Sequence, residues 1–360
     1  MATSYRVSEP VSDSRSDSVA RTDAHRSVVA WLYVCCALVF AMVVVGGATR
    51  LTHSGLSITE WQPIVGTLPP LTDAQWQETF AKYQLTPEYR QVNSAMTLGE
   101  FKGIFWWEYF HRLLGRVIGL VFLIPFIWFT ARRRVPRALA LQLLGIFALG
   151  AAQGALGWYM VQSGLVDDPR VSPFRLTAHL GLAVLIFAAM LWTALTLRSP
   201  PRTEPSVPAQ RATRRLAFMF AALVFVMVLS GGLVAGIRAG FAYNTFPLMN
   251  GRIVPAEILM LDPAWTNFFW NMATVQFDHR LLALVVVVFA LVLWRVLRTT
   301  PDMPARAVTG GDALVAMLAL QIVLGIATLL YVVPVPLAAL HQAGALATFG
   351  LALNVAHALR

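Results

Sequence analysis

Residues 100–122 read EFKGIFWWEYFHRLLGRVIGLVF. The stretch has the make-up of a membrane-helix entrance, with Trp106 and Trp107 where an interfacial aromatic belt would sit and an apolar run behind them. Into that entrance are packed Glu108, His111, Arg112 and Arg116. Charged groups at bilayer depth are costly and mark function. A second stretch answers the first: residues 276–283 read QFDHRLLA against EYFHRLLG at 108–115. The His-Arg pair recurs and the glutamate does not.

The surrounding composition explains why an entrance is the right reading. The chain of 360 residues is 57% hydrophobic and 13% charged, with a mean hydropathy of +0.63. Soluble domains are closer to half apolar and a quarter charged. A span needs roughly 20 apolar residues. Eight segments qualify, near 28–48, 106–130, 138–161, 174–197, 215–236, 272–297, 312–333 and 337–358. A short amphipathic helix is expected near 72–84, in the first outer loop.

The net charge of +10 does not call for nucleic acid, because the arginines gather in alternate connections. They crowd the tail before the first span (Arg6, Arg15, Arg21, Arg26), then 131–137, 198–215 and 294–306. The opposite loops carry most of the acids and both lysines, Lys82 and Lys102. Arginine-rich loops stay in the cytoplasm, which puts both termini inside and agrees with an even number of spans. Glu9, Asp13, Asp17 and Asp23 argue against a mitochondrial transit peptide, which would be poor in acids. The two cysteines, Cys35 and Cys36, are neighbours inside the first span and read as packing residues.

The chain is written twice. MVVVGGATRLTHSG at 42–55 matches MVLSGGLVAGIRAG at 227–240, and QGALG from Gln153 matches QIVLG from Gln321. HLGLAVLIF from His179 matches HQAGALATF from His341. Such repeats mark a fold of two related bundles. The expected fold is therefore an all-α integral membrane protein, with eight transmembrane helices in two tandem pseudo-symmetric four-helix bundles. The expected boundaries are a disordered cytoplasmic tail (1–27), a first bundle (28–197) with a long outer loop (49–105), a cytoplasmic linker (198–214) and a second bundle (215–360).

Of seven histidines, His25 and His357 lie near the cytoplasmic side and read as incidental, and His53 in an outer loop has no assigned role. His111, His179, His279 and His341 each fall near the start of an even-numbered span, so all four lie at one depth in the outer half of the membrane. One membrane histidine is usually a packing or hydrogen-bonding residue. Four at matched repeat positions point to metal ligation. Zinc normally wants more than two protein ligands. Haem iron needs only an axial pair, since the macrocycle supplies the other four ligands. The reading is two haem sites, His111 with His179 and His279 with His341. Arg112 and Arg280 follow the first histidine of each pair and suit contacts to haem propionates, or else they snorkel to the interface.

Glu108 lies three residues before His111 and Gln276 three residues before His279, on the same helix face as the ligand. A titratable carboxyl in the first pocket, set against a neutral amide in the second, suits proton transfer at one site only. The plainer alternative is a structural, arginine-paired glutamate. The first outer loop is also the longer one. Together these make one site catalytic and the other electron-carrying or structural.

These residues resemble haem A synthase. The resemblance is carried by GGATRLTHSGLSITEWQPIVGTLPP from Gly46, EYFHRLLGR from Glu108, TAHLGLA from Thr177, FDHRLLA from Phe277 and LHQAGALA from Leu340, and it covers about residues 28–358. It implies oxidation of the C8 methyl of haem O to a formyl group, giving haem A for cytochrome oxidase assembly. It implies the substrate haem between His111 and His179, a haem b cofactor between His279 and His341, and an essential glutamate at Glu108. It also implies partnership with a haem O synthase (protohaem farnesyltransferase) and an electron acceptor, contact with membrane lipid, and compatibility with a homo-oligomer. The location implied is the bacterial inner membrane, or alternatively the mitochondrial one, with the haem sites toward the outer side. Some bacterial members carry a cysteine pair in the first outer loop; this chain has none there, as in the proteobacterial and mitochondrial branch. The rivals are a bis-haem electron-transfer protein and a haem carrier without catalysis. In the cytochrome b class two histidines share each helix, whereas here each histidine has its own. A carrier gives no reason for the Glu108/Gln276 difference. The acceptor, the oxygen source and a role for Arg116 stay open.

Overall fold

The computed structural model describes residues 14–62, 65–166, 168–199 and 208–360. Among the described residues eleven α-helices follow one another: α1 (Ser14–Leu51), α2 (Asp73–Gln84), α3 (Pro87–Gln91), α4 (Leu98–Ala131), α5 (Arg137–Gln162), α6 (Pro173–Arg198), α7 (Pro208–Gly236), α8 (Asn267–Trp270), α9 (Met272–Thr299), α10 (Ala305–Leu330) and α11 (Val335–Ala358). Eight of them are long and apolar enough to cross a membrane: α1, α4, α5, α6, α7, α9, α10 and α11. No β-strand occurs among the described residues. The chain is a multi-pass, all-α membrane protein. α1 reaches back to Ser14, into the segment expected to be disordered; residues 1–13 of that tail and residues 200–207 of the linker lie outside the described residues.

Local chemistry sets the helix starts. α4 begins at Leu98, ahead of its apolar stretch, because Thr97 and Glu100 form a capping box. The Glu100 carboxylate accepts from the Thr97 N–H at 2.8 Å. At 34 residues, α4 is about 50 Å long, well beyond a ~30 Å hydrocarbon core. Its first turns, ahead of the apolar run, carry the loop between α1 and α4, which covers them as a lid. α2 also starts on a capping box, from Thr72 and Gln75. It lays Trp76, Phe80 and Tyr83 on Phe101, Phe105 and Tyr109 of α4. Tyr83 stacks on Phe101 with ring centroids 5.1 Å apart.

The spans arrange themselves in two squares. In the first, α1 packs on α4 and α6, and α5 packs on α4 and α6. In the second, α7 packs on α9 and α11, and α10 packs on α9 and α11. α4 thus lies diagonal to α6, and α9 to α11. The squares meet through α6 on α7, with α11 against both α1 and α6. A single apolar cluster runs through both, including Leu32, Leu143, Met190, Phe220, Leu293, Leu314 and Leu346. Lipid tails are as apolar as leucine, so such contacts are held by close fit more than by water expulsion. Glycine supplies that fit at the meeting wall. A methyl at Gly232 would stand 3.1 Å from the Thr177 hydroxyl, and one at Gly236 would stand 2.6 Å from the Pro173 Cβ.

Candidate active site

The diagonal geometry brings the histidines together in pairs. His111 on α4 and His179 on α6 are within electrostatic reach of each other, and so are His279 on α9 and His341 on α11. Each ring looks at a glycine on a neighbouring helix. A methyl at Gly46 would lie 3.1 Å from His111 Nε2, and one at Gly231 would lie 3.5 Å from His279 Cε1. The corresponding distances to Cε1 are 2.9 Å at Gly157 for His179 and 2.8 Å at Gly325 for His341. Three of the four contacts are too close for any larger residue without movement. The glycines keep room for an imidazole against a helix backbone.

The second histidine of each pair is tethered alike. Gln153 Nε2 donates to the His179 carbonyl at 3.0 Å, and Gln321 Nε2 donates to the His341 carbonyl at 2.8 Å. In both places the glutamine Oε1 and the histidine Nδ1 are buried without a partner. Unpaired polar atoms in an apolar interior are unfavourable, so they point to something that completes them. Among the described residues, no group of three or more His, Cys, Asp or Glu could hold a metal ion by itself. Paired imidazoles with open ring nitrogens, in glycine-cleared apolar space, fit a haem, which brings four ligands of its own.

The first histidines differ in one respect. Ser230 Oγ lies 3.1 Å from His279 Nδ1, which fixes the ring and leaves Nε2 free. In the repeat, Val45 stands where Ser230 does, and it offers no such bond. The MVVVGG/MVLSGG mismatch was readable beforehand, by the same comparison that exposed Glu108 and Gln276.

Glu108 is buried, 2% exposed, and four donor bonds converge on it. Oε1 accepts from Arg112 Nε at 3.1 Å and Nη2 at 2.6 Å. Oε2 accepts from Ser57 Oγ at 2.7 Å and from the Ile58 N–H at 2.8 Å. Gln276 is held differently: its Oε1 accepts from Arg280 Nη2 at 2.9 Å, and its Nε2 donates to the Ala239 carbonyl at 2.7 Å. The first loop thus offers donors to a carboxyl, and the second offers an acceptor to an amide. Each loop is shaped for its own residue. Ser57 and Ile58 lie inside the stretch from Gly46 that carries the family resemblance, but they were not among the expected site residues.

The arginines are busier than expected. Arg112 also donates to the Ile58 and Glu60 carbonyls, at 2.7 and 3.0 Å. Arg280 donates to the Tyr243 carbonyl at 3.0 Å. Both act as clamps between their helix and the loop that precedes it. Arg280 Nε is buried and unpartnered, so of the two it has the clearer spare donor. Arg116 donates to the Gln62 carbonyl at 2.9 Å and serves the same loop. His53 lies 3.2 Å from Arg238 Nη2, outside both pockets.

A second buried acid lies in the lid. Glu88 on α3 is 6% exposed, and its Oε2 accepts from the Tyr83 hydroxyl at 3.2 Å. Burial pushes its carboxyl up from 4.5 to about 7, with Glu108 adding to the rise and the Tyr83 hydrogen bond and Arg238 opposing it. The folded lid therefore keeps a proton that the unfolded segment releases above about 4.5. Lid stability is full below that pH and declines as pH climbs to about 7, by on the order of 3 kcal/mol. Hydrogen exchange across α2 and α3, corrected for intrinsic rates, should show that slope in the wild type and a flat response in Glu88→Gln. An equal slope in both would refute the assignment.

Comparison with known proteins agrees with this architecture. Residues 29–353 match the family COX15-CtaA, Cytochrome oxidase assembly protein. The chain is 59% identical to a protein named Heme A synthase from Nitrosospira multiformis, over 93% of this chain and 94% of that one. It is 55% identical to one of the same name from Nitrosomonas eutropha, over 94% and 95%. It is 49% identical to another from Parvibaculum lavamentivorans, over 96% and 98%. With a family match across nearly all of its length and relatives aligned end to end, this chain belongs to the COX15-CtaA cytochrome oxidase assembly family.

Proposed function

We propose that this chain is a haem A synthase, an oxidoreductase that turns the C8 methyl of haem O into the formyl of haem A. The observation that carries the reading is the unequal pair: Glu108 held by four donor bonds beside His111, and Gln276 held as a neutral amide beside His279. The names of the near-full-length relatives support it.

In this reading His111 and His179 hold the substrate haem, and His279 and His341 hold a resident haem b. When bound, haem b supplies a one-electron redox centre for electrons leaving the substrate. The Ser230 bond to His279, absent from the first half, supports that division, since a fixed ligand suits a cofactor that stays. Oxidising a methyl group releases protons as well as electrons. Glu108 is the buried base that takes them, and Ser57 Oγ on its Oε2 gives the proton a way toward the loop. Arg112 keeps the carboxyl aimed and ties it to the lid. Arg280, through its spare Nε, would hold a propionate of the resident haem. The arginine-rich connections support a bacterial inner-membrane topology with both termini in the cytoplasm and the haem pockets toward the outside.

The direct test is haem extraction from cells that supply haem O and express the chain. Haem A is the expected product. Haem O bound but unchanged would make the chain a carrier and overturn the enzymatic reading.

The glycine cradles give an independent check. Gly157→Val drives a side chain into the His179 ring and Gly325→Val into the His341 ring. The first should lose haem O retention and the second haem b, each by about tenfold or more. Haem content by type in purified protein measures both. Loss of the same haem in both variants would contradict the assignment.

A further inference from the structure

At the end of the bundle where α1 starts and α11 finishes, positive charges converge with no acid paired to them among the described residues. A groove of about 710 Å³ lies between α1 and α6, walled by His25, Arg26, Tyr33 and Arg198, with Val29, Ala30 and Leu197 as its apolar floor. Behind it, Arg306 of α10 is within electrostatic reach of both Tyr33 and Arg198, and Arg360 is within reach of Arg306. None of Arg26, Arg198, Arg306 or Arg360 is in an ion pair among the described residues. Like charges brought together raise the energy of a fold unless an anion answers them.

The polar atoms here are left open in the same sense. His357 is 2% exposed. Its Nε2 lies 3.3 Å from Thr196 Oγ1, yet its Nδ1 has no partner, and neither has Arg360 Nε. Arg306 is braced by the Asn354 Oδ1, at 2.6 Å from Nη2, and Arg360 by the Ser199 carbonyl, at 2.8 Å from Nη2. The guanidinium groups are held in place by neutral oxygens and not neutralised. Arg26 and Arg198 stay exposed at the groove, open to a headgroup, while Arg306 and Arg360 behind them are partly buried.

We infer that this groove binds the phosphodiester headgroup of an anionic membrane lipid, with the phosphate between Arg26 and Arg198 and the acyl stems along Val29, Ala30 and Leu197. Arginine is the residue suited to phosphate. Basic pockets between helices at the cytoplasmic face are fitted to anionic headgroups. The volume is that of a small-molecule site. A lipid there would tie the end of α1 to the end of α6, away from the histidine pairs. The inference does not depend on the haem chemistry.

The test uses the purified full-length protein, stripped of lipid in mild detergent and then offered phosphatidylglycerol, phosphatidylcholine or inorganic phosphate. Bound species are counted by native mass spectrometry. One retained phosphatidylglycerol is expected, with little phosphatidylcholine and no protection by inorganic phosphate at equal concentration. Arg26→Ala with Arg198→Ala should cut retention about tenfold. Arg26→Lys with Arg198→Lys should keep most of it. Arg211→Ala with Arg214→Ala, which removes the same charge from exposed positions on α7, should change nothing. Equal binding of phosphatidylcholine, full displacement of the lipid by inorganic phosphate, or an equal loss in the Arg211/Arg214 pair would overturn the site. Should the alanine pair fail to fold, the lipid selectivity of the wild type and the lysine pair still decides.

Discussion

Glu108→Gln should load both haems and convert haem O at least about a hundredfold more slowly. The substitution removes the group placed in the first pocket to take a proton, while leaving a side chain of the same size. It also reverses one contact. An amide nitrogen aimed at Ser57 and the Ile58 N–H would meet donors, so the new side chain must turn its oxygen to them and its NH2 toward Arg112. Both bonds that Oε1 accepts from Arg112 are then lost, about 2–3 kcal/mol in all, but Arg112 keeps the Ile58 and Glu60 carbonyls, so the pocket should still load. Glu108→Ala is a poorer probe, because it strands Arg112 beside the lid and costs about 3–5 kcal/mol if the pair counts as buried. Haem content and haem A yield, measured on one preparation, separate the roles. A Gln variant with full haem content and a normal yield would make Glu108 a structural clamp only.

His111→Ala and His279→Ala should fail in opposite ways. The first should keep haem b and lose haem O, and the second should lose haem b. Each should abolish haem A formation, since one lacks the substrate and the other the electron route. The effect should be sharper at His279. That ring is fixed by Ser230, so its iron bond is pre-aimed, whereas His111 has no matching hydroxyl. Ser230→Val, which copies the first half into the second, should weaken haem b by about 10–100-fold. Extraction and separation of the haems by type reads all three variants. Equal depletion of both haems in both alanine variants would contradict the two-pocket assignment.

Much of this was legible in the order of residues, for definite reasons. Spans announce themselves by length and apolarity, and the amphipathic helix expected near 72–84 is α2. Thr97 and Glu100 spell out a capping box, but hydropathy hides it, so the start expected near 106 was late. The four histidines, Glu108 and both arginines could be picked out because the repeat compares each with its counterpart. Partners supplied by the loop could not be. Ser57 and the Ile58 N–H reach Glu108 from about fifty positions away, through a turn that no periodicity encodes. Likewise, the glycines opposite the rings are visible as letters, but which ring each faces depends on which helices are neighbours. The clamping role of the arginines was hidden for the same reason: charge at a helix entrance is readable, whereas the backbone carbonyls that occupy it are not.

The wall between the squares has one more consequence. Gly232 on α7 lies against Thr177 on α6. Thr177 is two residues from His179, and Gly232 is two residues from Ser230, which steadies His279. The two pockets therefore share a party wall. A change on one side of it is a change in the other's foundations, so substitutions across it should not sum as independent effects. Pairs split between α5 and α10, which do not pack on each other, should sum. Duplication made two rooms, but their energetics form one account wherever that wall is touched.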